Sequence, residues 1–259
     1  MKAFIINMPH STKRREFMEK QMKDLDILYE IVPGTVGKDL TDEEFKALHD
    51  ESISFANEKV TSLLYRGFEM SKTQVACAHS HARVYKMIQE QGLDMALVLE
   101  DDVVLSPTIA KLLSDEKFLK SEPFDWLHLD YQPVGLPFLK TWIKNTWHNI
   151  KRKPIFLLYA LLKFPYILTL SIYEKLREVI YKNNPHIVIF GRPLYLASAY
   201  VITREGAHKV LPLTTPIRYP ADTLPNQGRT QVGLRMRVLC PLMSYQDAEN
   251  FETNIHYLQ

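Results

Sequence analysis

Residues 95–105 read MALVLEDDVVL. Five apolar residues, Met95 to Leu99, run into Glu100, Asp101 and Asp102, and Val103, Val104 and Leu105 follow. A short, unbroken apolar run fits a strand buried on both faces, as in a parallel sheet. At the carboxyl end of such a strand, side chains emerge into the crevice where α/β proteins bind ligands. Three carboxylates placed there repel one another unless a counter-charge joins them. A divalent cation supplies one, and Mn²⁺ or Mg²⁺ prefers oxygen ligands. In extended chain Glu100 and Asp102 point to one side and Asp101 to the other, so two of the three can face one metal and a diphosphate. The alternative is an acidic surface turn. Apolar flanks on both sides argue against it, because solvated acidic turns sit among polar residues.

Outward from this stretch, the chain alternates strands and helices. Ala3 to Asn7 is a first strand, and a helix opens near Thr12 or Lys13 and runs through RREFMEKQMKDL, with Phe17, Met18, Met22 and Leu25 roughly on one face. Ile27 to Val32 reads as a second strand ended by Pro33-Gly34. The acids of Thr41-Asp42-Glu43-Glu44 suit a helix start. Lys72 to Gln91 predicts a helix closed by Gly92, and Trp126 to Leu129 and Ala199 to Thr203 predict short strands. This alternation predicts an α/β sandwich around a mostly parallel sheet.

The chain has 259 residues, 46% of them hydrophobic, enough for one large domain with a real core. A net charge of +2 gives no nucleic-acid signal. Cys77 and Cys240 stand far apart without metal-ligand spacing to each other, which argues against a disulfide framework and suits a reducing compartment. The opening apolar stretch is too short for a signal peptide, so the body of the protein is expected in the cytosol. The modest average charge conceals a basic, aromatic-rich segment. Residues 137–182 carry nine Lys or Arg against two acids, a net of +7, which leaves −5 for the rest. Trp142, Trp147, Phe156, Tyr159, Phe164, Tyr166 and Tyr173 lie in it. Lys163 and Pro165 interrupt its most apolar part, which is short for a membrane span. The composition suits a helical insertion over 137–190 that lies in a membrane interface, or one that packs on the core or on a second subunit.

In order along the chain, several stretches resemble glycosyltransferase family 25, the lipooligosaccharide and capsule galactosyltransferases related to collagen galactosyltransferases. LVLEDDVVL looks like the acidic motif of that family. AFIINMPHSTKRRE is similar to its strand-loop-helix start, with Asn7 and Arg14 on the pattern. MSKTQVACAHSHARVYKMI resembles its Gly-Cys-x-x-Ser-His segment, where Cys77, Ser80 and His81 match and Ala76 replaces the usual glycine. FDWLHLD, LYLASAYVITREGAHKVL and YPADTL resemble later segments, the last bringing Asp222 onto a family Asp. The basic segment has no counterpart in the resemblance.

The resemblance implies one GT-A type, Rossmann-like domain over 1–259 that uses a UDP-sugar donor. It implies transfer of a hexose with inversion, typically galactose from UDP-galactose, onto a sugar of a lipooligosaccharide, capsule or other lipid-linked bacterial surface glycan. Asp102 and Glu100 would hold the metal, with Asn7, Arg14, Ser80, His81, Glu100 and Asp101 around the donor. Asp222 is the first candidate for the base and Asp130 its rival, although an Asp in this position also caps a helix. His79 and His81 are two apart and cannot form an i, i+4 zinc pair, and Cys77 reads as a core residue. Gln246 carries no assigned role. The expected location is the cytoplasmic face of the inner membrane, held peripherally, with a homodimer as the other use of the insertion. Two other classes use the same features: a metal-dependent nucleotidyltransferase or phosphohydrolase, and a non-catalytic membrane-peripheral binding protein.

Overall fold

A computed structural model of the chain describes residues 1–49, 70–131, 164–165, 168–169, 172–173, 176–177, 179–189 and 193–247. All of the basic segment from 137 to 163, including Trp142, Trp147, Phe156 and Tyr159, lies outside the described residues, as does Tyr166.

The chain opens with β1 (Lys2–Asn7), α1 (Thr12–Asp24) and β2 (Tyr29–Pro33). Helix α2 (Asp42–Leu48) follows, then the long α3 (Lys72–Glu90) and β3 (Met95–Glu100). Next come β4 (Val103–Leu105), α4 (Ile109–Ser114), α5 (Glu116–Leu119), β5 (Trp126–His128) and β6 (His186–Val188). The last part holds β7 (Ala199–Thr203), α6 (Arg204–Val210), α7 (Leu224–Gln231), β8 (Met236–Cys240) and β9 (Ser244–Gln246).

Seven strands form one sheet in the order β2-β1-β3-β7-β5-β8-β6. The pairs β1·β2, β1·β3 and β5·β8 are parallel, while β7 and β6 run against their neighbours. The fold is thus the expected α/β sandwich with a mostly parallel sheet, consistent with a Rossmann-like glycosyltransferase fold. Both faces are buried, and the period of two sorts the side chains. Phe4, Ile6, Ala96, Val98, Trp126, Tyr200 and Ile202 point to one face, where Ala82, Tyr85 and Ile88 of α3 and Ala207 and Val210 of α6 cover them. Ala3, Ile5, Leu97, Leu99, Leu127, Ala199 and Val201 point to the other, under Met18 and Met22 of α1 and Ile109 and Leu113 of α4. Each fully buried side chain of this size contributes about 1.5–3 kcal/mol.

The ends of α3 have clear local causes. Ser71 and Gln74 form a capping box at its start. At its end Gly92, at φ +62, lets Gly92 N–H reach Gln89 O and Leu93 N–H reach Ile88 O. This is a Schellman closure, which glycine adopts without strain. The second strand begins two residues later than Ile27. Helix α1 runs on into a turn in which Ile27 N–H bonds Met22 O and Asp26 takes φ +53, so Ile27 closes the helix, while Leu28 O already accepts from Ala3 N–H of β1.

Beside the main sheet, β4 pairs antiparallel with β9, with Val103 opposite Gln246. Asp247 N–H also donates to Asp102 O at 2.8 Å. This small ribbon ties the C-terminal part of the chain to the acidic turn after β3.

Candidate active site

The sheet's alternation decides where the three acids go. Even-numbered residues of β3 face α3, and Glu100 continues that row. Odd-numbered residues of β1 and β3 face α1, and Asn7 and Asp101 continue those rows. Asp101 and Asp102 form the turn between β3 and β4; Asp102 shares Gln246 with Glu100 and shares Arg14 with Asp101.

Asp101 is buried and saturated with donors. Asn7 Nδ2 and Met8 N–H donate to its Oδ2 at 2.8 and 3.2 Å, and Arg14 Nη1 donates to its Oδ1 at 2.8 Å. It knots the end of β1, the start of α1 and the end of β3 together. Arg14 falls on the inner face of α1, one turn before Met18, and is itself buried. The same Nη1 reaches Asp102 Oδ2 at 3.2 Å. Arg15 points away and pairs with Glu19 at the surface.

Glu100 and Asp102 converge on one point. Gln246 Nε2 donates to Glu100 Oε2 at 3.2 Å and to Asp102 Oδ1 at 3.4 Å. Burial first, then the charge of Glu100, raises the Asp102 carboxyl to about 6. Negative charge is therefore in excess here even with Arg14 alongside. Two carboxylate oxygens aimed at one spot, drawn to a positively polarised amide group, fit a cation that prefers oxygen. An amide turned about its last bond would add its own oxygen to that spot. Gln246 was readable in the sequence only as a polar residue near the C-terminus. Its place depends on the β4·β9 pairing across 143 positions, which no local pattern announces.

On the α3 side, His81 is buried with both ring nitrogens engaged. Nε2 lies 3.3 Å from Glu100 Oε1, and Nδ1 lies 2.8 Å from the Tyr200 hydroxyl. Tyr200 stacks on Trp126 at 3.9 Å and donates to the Tyr85 hydroxyl. The imidazole is thus held by a wall of buried rings. Cys77, one turn earlier, is not wholly in the core: its Sγ lies 3.9 Å from Glu100 Oε1 and lines the cleft. Ser80 is buried; its hydroxyl donates to Ala76 O and accepts from Thr35 N–H at 2.8 Å. It fixes the loop after β2 against α3. Gly37 belongs to that loop, and a Cβ there would lie 2.6 Å from Thr73 Cα.

The cleft so formed is lined by Ile6, Met8, Arg14, Thr35, Cys77, His81 and the three acids, among others. It holds about 660 Å³ of empty space, counted out to its open mouth.

The two remaining candidates differ. Neither carboxylate is among the residues that line the cleft. Asp130 is buried, and its carboxylate accepts from the Ser198 hydroxyl and from Ala199 N–H, at the entry to β7. Burial raises it to about 7. Asp222 is half-buried just before α7, where Thr223 rather than Asp222 is the N-cap. Its carboxyl is raised by burial first and then by the charge of Glu100, a charge that also raises Asp130, so both lie within the electrostatic reach of the acidic cluster.

The model of "Glycosyltransferase family 25 (LPS biosynthesis protein)" matches residues 1–225. Among curated proteins, procollagen galactosyltransferase 1-A of Xenopus laevis is 27% identical over 128 residues, covering 48% of this chain and 20% of that one. Procollagen galactosyltransferase 2 of Homo sapiens is 29% identical over 100 residues, 39% of this chain and 15% of that one. A glycosyltransferase 25 family member of Drosophila melanogaster is 28% identical over 106 residues, 41% and 16%. The chain matches a fifth or less of the length of these relatives.

Proposed function

The chain belongs to glycosyltransferase family 25, and from that premise we propose that it moves a hexose from a UDP-sugar to a hydroxyl of a lipid-linked surface glycan, with inversion. Galactose is the first choice, because the relatives above are named for galactosyl transfer. The observation that carries the reading is the convergence of Glu100 Oε2 and Asp102 Oδ1 on one point inside a cleft at the end of a parallel strand.

A Mn²⁺ or Mg²⁺ ion held by Glu100 and Asp102 would neutralise charge on the departing diphosphate. The chain's own residues do the rest. Arg14 holds Asp101 and Asp102 in register, and His81 holds Glu100. In the transfer step the acceptor oxygen bonds the sugar's anomeric carbon, the bond from that carbon to the diphosphate oxygen breaks, and UDP leaves. Asp222 takes the acceptor's proton. A carboxyl raised by burial suits that task, because a base works best with its pKa near the working pH. Asp130 is fully buried against the Ser198 hydroxyl and Ala199 N–H, whereas Asp222, held by the backbone N–H groups of Asp222 and Thr223, is only half-buried, which favours Asp222.

The test is UDP release from a panel of UDP-hexoses with Mn²⁺, with and without a lipooligosaccharide acceptor. Release from UDP-galactose that rises at least tenfold with acceptor is the expected result. Acceptor-independent cleavage of the phosphoanhydride would instead favour the phosphohydrolase reading.

The insertion supports a seat at the cytoplasmic face of a membrane. Phe164, Leu168, Ile172, Leu176, Val179 and Ile180 recur at helical spacing and are exposed, within a segment of net charge +7. Among the described residues no helix is long and apolar enough to cross a membrane. A helix lying in an anionic interface uses such a face, each Lys or Arg adding about 1 kcal/mol. Flotation with anionic liposomes should carry the intact protein upward and leave a variant with Leu168, Ile172 and Leu176 replaced by Ser at the bottom. A dimer in solution, with no flotation, would support the subunit-contact reading instead.

A further inference from the structure

Cys77 and His81 are four apart on α3, one above the other on the face that meets β3. Among the described residues, Cys77 Sγ, His81 Nε2 and Glu100 Oε1 form a mixed sulfur, nitrogen and oxygen group, all within 4.8 Å of one another. We propose that these three side chains are a binding site for a thiophilic divalent cation, Zn²⁺ in chemical class, separate from the oxygen site of Glu100 and Asp102.

The distances suit a tetrahedral ion. Zinc bonds of about 2.0 Å to nitrogen and oxygen and about 2.3 Å to sulfur place N and O ligands ~3.4 Å apart and S and O ligands ~3.6 Å apart. Here the nitrogen–oxygen separation is 3.3 Å and the sulfur–oxygen separation is 3.9 Å. Little movement closes the group on an ion. The second requirement is a partner on the far nitrogen of the histidine, which fixes ring orientation. His81 Nδ1 has one in the Tyr200 hydroxyl at 2.8 Å, itself locked between Trp126 and Tyr85. The third is access. Cys77, His81 and Glu100 all line the cleft, so the fourth coordination position opens to it. The thiolate selects Zn²⁺ over Mn²⁺ or Mg²⁺, whereas Glu100 Oε2, Asp102 and Gln246 offer no sulfur or imidazole. On coordination the Cys77 S–H bond is replaced by an S–Zn bond and one proton passes to solvent. An ion in this place draws on Glu100 and stands in the cleft, so it opposes UDP-sugar binding. That consequence rests on the transferase reading; the ion's seat does not.

Co²⁺ tests the seat directly, because a thiolate–cobalt bond gives a near-ultraviolet charge-transfer band. Titration of the full chain with Co²⁺ should show this band at one equivalent, and Zn²⁺ should displace it. Cys77→Ser should abolish the band, while Cys240→Ser and Asp102→Asn keep it. As a measurement on the unmodified chain, Zn²⁺ should slow alkylation of Cys77 by iodoacetamide at least tenfold, read by mass spectrometry. A wild-type protein without the band, a band that survives Cys77→Ser, or Cys77 alkylation unchanged by Zn²⁺ would each overturn the proposal. The band in Co²⁺-loaded protein, alongside absent turnover of every UDP-hexose by Mn²⁺-loaded protein free of Co²⁺ and Zn²⁺, would refute the transferase reading and leave the zinc site standing.

Discussion

Replacing Asp102 by Asn is expected to lower turnover by about a hundredfold or more and, in the same protein without metal, to raise thermal stability. The first effect follows from removing one of two carboxylates that would anchor charge against the leaving diphosphate, a class of contact worth about 10²–10³ in rate. The second follows from the cluster's own electrostatics. In the fold, burial and Glu100 raise the Asp102 carboxyl from 3.8 to about 6. The folded state then binds more protons than the unfolded chain between those values. Stability from this group is therefore greatest at low pH and declines as pH rises through about 4 to 6. The full penalty above that window is roughly 3 kcal/mol, at 1.36 kcal/mol per pKa unit. Asparagine removes the charge and keeps the shape. The stability gain of Asp102→Asn over wild type should be near zero at pH 4 and largest at pH 8, and Mn²⁺ should erase it by stabilising only the wild type. Melting curves of both proteins across that range decide the point. A variant equally stable to wild type at pH 8, with turnover intact, would show that Asp102 carries neither role.

Arg14→Ala is expected to cost about 3 kcal/mol or more of folding stability, because it strips a buried carboxylate pair of its cation. Asp101 keeps Asn7 and Met8 N–H as donors, which holds the loss near the lower end of the range for broken buried pairs. For a chain of this size that is a fall of roughly 6–12 °C in melting temperature. Arg15→Ala provides the contrast. Its pair with Glu19 is an exposed i, i+4 contact, worth about 0.5 kcal/mol at most. Urea unfolding of the two variants side by side should separate them clearly. Equal midpoints would mean that the Arg14–Asp101–Asp102 knot does not stabilise the fold.

Much of the architecture was legible because strong local signals agreed with the tertiary result. The run MALVL could be read as a doubly buried strand since both faces of the sheet are covered, and AYVIT likewise. The 3.6-residue spacing of Met18 and Met22 placed α1, and Gly92 marked the end of α3. The two reversed strands were hidden. Nothing local in Ala199–Thr203 or His186–Val188 sets strand direction, which comes from the connections around them.

The site divides in the same way. Its acids could be read from charge set against apolar flanks. What neighbours them could not. Arg14 is one of two adjacent arginines at a helix start, and only the depth of α1 against β1 makes it, and not Arg15, a buried partner of Asp101. Gln246 and Tyr200 reach the site through strand pairings far apart in sequence. Cys77 was read as a core residue, because the i, i+4 pattern that joins it to His81 is also an ordinary apolar helix face; the third group, Glu100, is on another element. Asp130 and Asp222 both follow strand-like or turn-like sequence, and only burial separates the one sunk against Ser198 from the half-buried one before α7.

Calorimetric titration of the full chain with UDP, with and without Mn²⁺, tests the central claim most directly. Saturable one-site binding is expected that requires Mn²⁺, weakens at least tenfold in Asp102→Asn, and survives Arg15→Ala unchanged. UDP binding of equal strength in metal-free wild type and in Asp102→Asn would contradict a donor cation on Glu100 and Asp102, and absence of UDP binding under every condition would contradict the donor cleft itself.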